Sequence, residues 1–168
     1  MHKEIERKFL VDNINILLSV PHRSVVINQY YIDDNTRIRL LSHSDDRVRA
    51  YITMKHGKEA IVRDEWEFEV DISTATYYVD FLKHNNLGLG CIHKTRHIIP
   101  DGYGTSWEID VFHEDNDGLI IAEIEMLDEK FEPHLIDGIG KEVTGNSRYY
   151  NANLARHPFA KWGDNESN

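Results

Sequence analysis

The chain contains one cysteine, Cys91, among 168 residues, so it can form no intrachain disulfide and can build no cysteine-based zinc site of its own. A reducing compartment suits such a chain. The N-terminus also lacks an uninterrupted apolar run, because Glu4, Glu6, Arg7 and Lys8 interrupt it. The expectation is therefore a cytoplasmic protein with neither a secretory signal nor a membrane span. Positive charge is scarce: 19 Lys and Arg stand against 29 Asp and Glu, a formal net charge of −10. Such a field repels nucleic acid and anionic membranes, so neither is expected as a partner, and a polyanionic ligand would need a concentrated cationic site. Neither a sequence repeat nor a low-complexity linker is evident. The length falls in the range of a single domain spanning 1–168 with one sizeable core.

What the chain has in quantity is alternation. In the opening string MHKEIERKFLV, Glu4, Glu6 and Lys8 alternate with Ile5, Arg7 and Phe9. On an extended strand this spacing places both carboxylates and the ammonium in one row. Two carboxylates can hold a hard cation such as Mg2+, and a neighbouring lysine can meet a phosphate directly. Taken alone, these eleven residues fit a solvated strand face better. Alternating stretches recur at 24–32, 36–42, 47–56, 62–71, 91–99, 105–112 and 119–126, separated by turn-forming residues such as Asp33 to Asn35, Ser42 to Asp46, His56-Gly57 and Asp101-Gly102. Asp115 to Gly118 reads as a hairpin turn, since it lacks the further acidic ligands of a calcium loop.

Helical signals are fewer. Ser73 is the expected N-cap of a helix in which Tyr77, Tyr78, Phe81 and Leu82 recur at helical spacing, a stripe expected to pack on the strands, and Asn85 to Gly88 stops it. A short helical turn is expected within 13–18 and a last helix from Asn146-Ser147 to about Arg156, followed by a frayed tail from Gly163. Eight strands with so few helices predict a mostly β, α+β fold: an eight-stranded antiparallel barrel, closed or nearly so, with a few external helices.

Counted by twos, one face carries Glu4, Glu6 and Lys8, then Arg37 and Arg39, then Arg49, Tyr51, Thr53 and Lys55, then Arg63, Glu65, Glu67 and Glu69. Lys94 and Arg96, Glu108 and Asp110, and Glu123 and Glu125 continue it. Like charges paired on successive strands repel unless a ligand or metal lies between them, so the row points to function. Several cations facing one space could bind several phosphates, and the pairs Glu4/Glu6 and Glu123/Glu125 could hold metal. His93 and His97 fall on the opposite parity and are read as packing or surface residues.

These motifs together resemble the CYTH superfamily, the triphosphate tunnel metalloenzymes, of the short bacterial type. Glu4-Ile5-Glu6-Arg7-Lys8 is similar to the family's Glu-x-Glu-x-Lys and Gln29-Tyr30-Tyr31 to its Gln-x-Tyr. Arg37-Ile38-Arg39, Thr53-Met54-Lys55, Glu65-Trp66-Glu67, Lys94-Thr95-Arg96, Trp107 to Asp110 and Glu123-Ile124-Glu125 follow in the family's order, and the ending from Glu142 through Ala155 is also similar. One departure is Asp137-Gly138-Ile139 where short members often have a tryptophan. The resemblance implies a tunnel whose charged face points inward, with a C-terminal helix near one mouth. It implies Mg2+ or Mn2+ held by Glu4, Glu6, Glu123 and Glu125, and a small-molecule triphosphate gripped by Lys8, Arg37, Arg39, Lys94 and Arg96. Lys55, Glu65 and Glu67 join the expected substrate set, and Lys55 with Tyr31 is expected to position or deprotonate the attacking water. The implied activity is metal-dependent triphosphate hydrolysis, inorganic triphosphate first. A class IV adenylate cyclase, a thiamine or nucleoside triphosphatase, and a non-enzymatic polyphosphate-binding module are the alternatives. A homodimer is left open.

Overall fold

The structure, a computed structural model, describes residues 2–56, 62–126 and 132–163. The strands are β1 (His2–Val11), β2 (Arg23–Tyr31), β3 (Thr36–His43), β4 (Val48–His56), β5 (Val62–Val70), β6 (Gly90–Pro100), β7 (Ser106–Phe112), β8 (Ile120–Glu125) and β9 (Ile139–Glu142). The helices are α1 (Ile16–Ser19), α2 (Ile72–His84) and α3 (Asn151–Arg156), with single 3-10 turns at Glu114–Asn116, Ser147–Tyr149 and Phe159–Lys161. No helix among the described residues is long and apolar enough to cross a membrane.

All nine strands form one antiparallel sheet in the order β5-β4-β3-β2-β6-β7-β8-β1-β9. β1 brings the two ends of this order together: His2 to Ile5 pair with Glu65 to Val62 of β5, while Glu6 to Leu10 pair with Glu125 to Ile121 of β8. The expected eight strands thus form a ring, but the join to β5 spans only the first half of β1. A ninth strand, which alternation did not reveal, takes up the other half, with Phe9 opposite Glu142 and Val11 opposite Ile139. β9 is only four residues long and contains Gly140, so it carries too little pattern to be recognised from sequence.

The apolar residues fall into three clusters, and their positions decide what the inward face can do. Outside the ring, Phe9, Trp107, Ile109, Ala122 and Ile124 pack with Ile16 and Leu17 of α1. Phe9 and Trp107 meet edge to face with ring centroids 5.5 Å apart. Also outside, Tyr30, Ile38 and Ala50 pack beneath Ala75 and Leu82 of α2. The third cluster lies within the ring. Ile92, Phe112 and Ile121 share strand parity with Lys94, Asp110 and Glu123, and they pack with Tyr31, Val143, Tyr149, Leu154 and Ala155. The inward face therefore changes along the strands from charged to apolar, and α3 seals the apolar end.

Two details of α2 correct the sequence expectation. Its N-cap is Asp71, whose carboxylate accepts from the Thr74 amide at 3.1 Å, while Ser73 donates its hydroxyl to the same carboxylate. The stripe packed on the strands is Ala75 and Leu82, both buried, with Val79 partly buried, whereas Tyr77, Tyr78 and Phe81 are exposed, Tyr77 by 76%. Aromatic spacing identified the helix but not the face that it buries. The last helix comprises a 3-10 turn at Ser147–Tyr149 followed by α3, and the Asp115 to Gly118 segment contains a 3-10 turn in the β7 to β8 connection. There Asn116 is buried and accepts from the Phe159 amide at 2.8 Å. His93 contacts the Asn28 side chain and His97 packs edge to face on His22, both on the outer wall as expected. The expected tail lies mostly outside the described residues.

Candidate active site

Alternation within the ring brings the charged positions of seven strands around one cavity of about 550 Å³. Its charges are largely segregated, with Lys8 among the carboxylates of one side and Glu65 beside Lys55 on the other. On β1, β8 and β7, Glu6 stands directly opposite Glu125, and Glu123 directly opposite Glu108, giving a continuous acidic wall. On β3, β4 and β6, Arg37, Arg39, Lys55, Lys94 and Arg96 form a basic wall facing the same space. Carboxylates opposed across a ladder repel one another. The cations interleaved between them offset this: Lys8 bridges Glu6 and Glu123, and Arg96 binds Glu108, Asp110 and Glu123 together.

Arg96 makes a fork with Asp110, Nε to Oδ1 at 2.7 Å and Nη2 to Oδ2 at 2.6 Å. Asp110 is fully buried and also receives Lys94. On the other wall, Lys55 Nζ is 2.8 Å from Glu65, and Arg39 pairs with Glu67, which also accepts from Thr53 Oγ1 at 2.9 Å. Arg37 Nη1 donates to the Tyr31 hydroxyl at 3.3 Å.

Burial sets the protonation behaviour of these groups, and charged neighbours redirect it. For Lys94, burial and the adjacent Arg96 outweigh Asp110 and push the ammonium down to about 8. For Lys8, burial acts in the same direction, but Glu123 and Glu6 together win and hold the ammonium well above its ordinary range. Burial would raise Glu123, yet Lys8, Arg96 and Lys94 hold it well below the usual 4.5. Glu108, opposite it, is raised, because burial together with Glu123 and Asp110 overcomes Arg96.

Of the residues expected from sequence, Glu6, Lys8, Tyr31, Arg37, Arg39, Lys55, Glu65, Lys94, Arg96, Glu123 and Glu125 all line the cavity. Glu67 stands behind Arg39. Glu4 lies on β1 opposite Arg63, and its side chain is outside the described residues. Sequence reasoning placed Glu108 and Asp110 on the correct face without assigning either a task. It did not anticipate Asp34 and Asn35 of the β2 to β3 turn, or Tyr150, Asn151, Asn153 and Arg156 around α3, all of which line the cavity. Arg156 meets Asp34 at 2.7 Å across that end. No alternation marks loop and cap residues, so only their place in space reveals them.

Among the described residues, no three acidic or histidine side chains converge in a metal-ready arrangement. Lys8 already bridges two of the candidate carboxylates, Glu6 and Glu123. The donor chemistry nevertheless suits a hard divalent cation, since Glu6, Glu123 and Glu125 present carboxylate oxygens on one wall.

The CYTH domain model matches residues 2–159 of this chain. An inorganic triphosphatase of Acetivibrio thermocellus is 35% identical over 163 residues, covering 95% of this chain and 97% of that protein. A crystal structure described as an inorganic triphosphatase is 28% identical with a TM-score of 0.60, covering 93% of this chain and 96% of that one. A Pyrococcus horikoshii protein, 20% identical with a TM-score of 0.55, covers 76% of this chain and 80% of its own, and shares the fold. The family model's reach and the extent of the 35% identical relative, set on the same strand-by-strand charge pattern, make this chain a member of the CYTH domain family.

Proposed function

We propose that this protein hydrolyses inorganic triphosphate to orthophosphate and diphosphate with the help of Mg2+ or Mn2+. The observation that carries the reading is one cavity in which Glu6, Glu108, Glu123 and Glu125 gather on one side and Arg37, Arg39 and Lys55 on the other. A linear polyanion with bound divalent metal needs both. The name of the Acetivibrio thermocellus relative supports the substrate. Among the described residues lining the cavity the aromatic ones are Tyr31 and Tyr150, which supports a phosphate chain over a ligand that must stack a base.

Glu6, Glu123 and Glu125 would hold the metal, together with Glu4 from the same strand. When bound, such an ion neutralises phosphate oxygens and orients the chain. The protein's own groups do the rest. Arg37, Arg39 and Arg96 present forks to the phosphate oxygens, and Lys8 and Lys55 add point charges. As water oxygen bonds to the terminal phosphorus, the anhydride bond breaks and its electrons pass to the departing diphosphate, whose growing charge the basic wall neutralises. The proton lost by water needs an acceptor. Lys55 and Tyr31 are the candidates from sequence, and Lys94 joins them because it lines the cavity and its ammonium is pushed down to about 8.

Incubation with inorganic triphosphate, ATP and thiamine triphosphate plus Mg2+, with products separated, tests the proposal. Orthophosphate should form with the highest kcat/KM from inorganic triphosphate, and Glu6→Gln should reduce turnover about 10²-fold or more while leaving the fold intact. Cyclic AMP as the main product, or full activity of Glu6→Gln at limiting Mg2+, would overturn it.

A further inference from the structure

Gln29 lies on β2 between Arg39 of β3 and Ile92 of β6, directly opposite each in the ladders. It is only 3% exposed, and among the described residues neither its Oε1 nor its Nε2 has a hydrogen-bond partner. Opposite it, the buried Arg39 Nε is also without a partner among the described residues, because the guanidinium engages Glu67 through Nη2. A buried donor and a buried acceptor on directly paired residues are thus both unused. Leaving such groups unsatisfied is costly, so a directly opposed unused pair calls for an explanation.

The ion pair that holds Arg39 is the replaceable part of this arrangement. Glu67 is about a third exposed and keeps Thr53 as a second partner, so it can release the guanidinium without being left unpaired. A phosphate oxygen in the cavity competes for the same fork.

We infer that Gln29 is a positioning residue for Arg39: when phosphate draws the guanidinium away from Glu67, Arg39 Nε donates to Gln29 Oε1, which fixes the fork toward the anion. This rests on the triphosphate reading of the cavity. In that state Gln29 and Arg39 satisfy each other, and the fork has one orientation instead of several. Gln29 itself does not touch the reacting atoms. The residue therefore acts on affinity for the anion more than on the bond-breaking step.

The test uses Gln29→Met, which keeps the length and removes both polar atoms, alone and combined with Arg39→Lys, which lacks the Nε donor. Gln29→Met should leave the melting temperature without ligand unchanged or raised, because it removes an unsatisfied buried amide. It should weaken binding of inorganic triphosphate about 10-fold, read both as KM and by calorimetry in EDTA, where metal-dependent turnover stops, while kcat changes less than about threefold. In the Arg39→Lys background the same substitution should cost nothing further, the signature of coupling. A lowered unliganded melting temperature with effects additive to Arg39→Lys would make Gln29 a structural residue and overturn the inference, as would wild-type affinity of Gln29→Met. Wild-type protein that neither binds nor cleaves triphosphate would overturn the substrate reading instead.

Discussion

Lys8 and Glu123 face each other across the β1 to β8 ladder, and the Lys8 ammonium lies between the carboxylates of Glu123 and Glu6. The cation thus occupies the place on the acidic wall where a divalent ion would compete for the same oxygens. The side chains are 13% and 6% exposed, so solvent does little to weaken the pair. Lys8→Met should destabilise the metal-free protein by about 3 kcal/mol, at the lower end for a broken buried pair because Arg96 still holds Glu123. Mn2+ affinity in the absence of phosphate should hold or rise, while triphosphate affinity falls. Denaturant titration and Mn2+ calorimetry check this, and a collapse of Mn2+ affinity would show that Lys8 and metal do not compete.

Lys55 and Lys94 separate phosphate gripping from proton handling. Lys55 is ion-paired with Glu65 at 2.8 Å, an arrangement suited to presenting a fixed charge. Lys94 is buried beside Arg96 and pushed down to about 8. If its free amine accepts the water proton, kcat/KM should rise as pH approaches 8, and Lys94→Arg should abolish that rise with a loss of about 10²-fold, because guanidinium does not deprotonate. Lys55→Arg should retain the rise and much of the rate. Single-turnover measurements across pH decide the matter, and the reverse result would return the base role to Lys55 with Tyr31.

Much of the fold was legible because alternation with a period of two is a local property. It located the eight strands of the ring and assigned Arg37, Arg39, Lys94, Arg96, Glu123 and Glu125 to one face. Parity gives the face, however, and not the depth along the ring. Ile92, Phe112 and Ile121 share the parity of the charged residues yet form the apolar floor, because only the three-dimensional position of α3 determines where polar lining stops. Gln29 illustrates a second limit. Its type and position were visible in the sequence, but the unused hydrogen-bonding groups of Gln29 and Arg39 exist only in space. The stripe of Tyr77, Tyr78 and Phe81 shows a third, since periodicity cannot say which of two apolar stripes a helix buries.

Glu123 and Glu108, directly opposed, should give pH dependences of opposite sign. The folded-state pKa of Glu123 lies well below the ordinary 4.5, so the stability that it contributes is fully present above about 4.5 and is lost as pH falls toward the folded value. Glu123→Gln should therefore flatten the acid limb of the stability curve. Glu108 is raised, so its contribution is present at low pH and lost as pH rises through the folded value. Glu108→Gln should leave stability at pH 7 unchanged or increased, since Arg96 retains Asp110 and Glu123. Denaturation midpoints from pH 3 to 8, a range of roughly five units around the carboxylate values, provide the check. A larger loss at neutral pH from Glu108→Gln than from Glu123→Gln would contradict the assignment.

Gly90 tests whether α3 is held to the ring by backbone proximity. Its φ is +132°, and a Cβ added there would lie 2.5 Å from the Ala155 carbonyl oxygen, too close for any contact of that kind. Gly102 has a φ of +82°, and a Cβ added to it would meet nothing within 4 Å. Gly102→Ala should thus cost only the left-handed strain, about 1 kcal/mol. Gly90→Ala must also push Ala155 away, and with it the helix whose Leu154 and Ala155 close the apolar end and whose Asn151, Asn153 and Arg156 line the cavity. A loss of roughly 3 kcal/mol is expected, in the range of severe backbone and packing defects, together with weaker triphosphate binding. Equal destabilisation by the two substitutions, with triphosphate affinity unchanged in Gly90→Ala, would mean that the close approach of α3 to β6 does not shape the site.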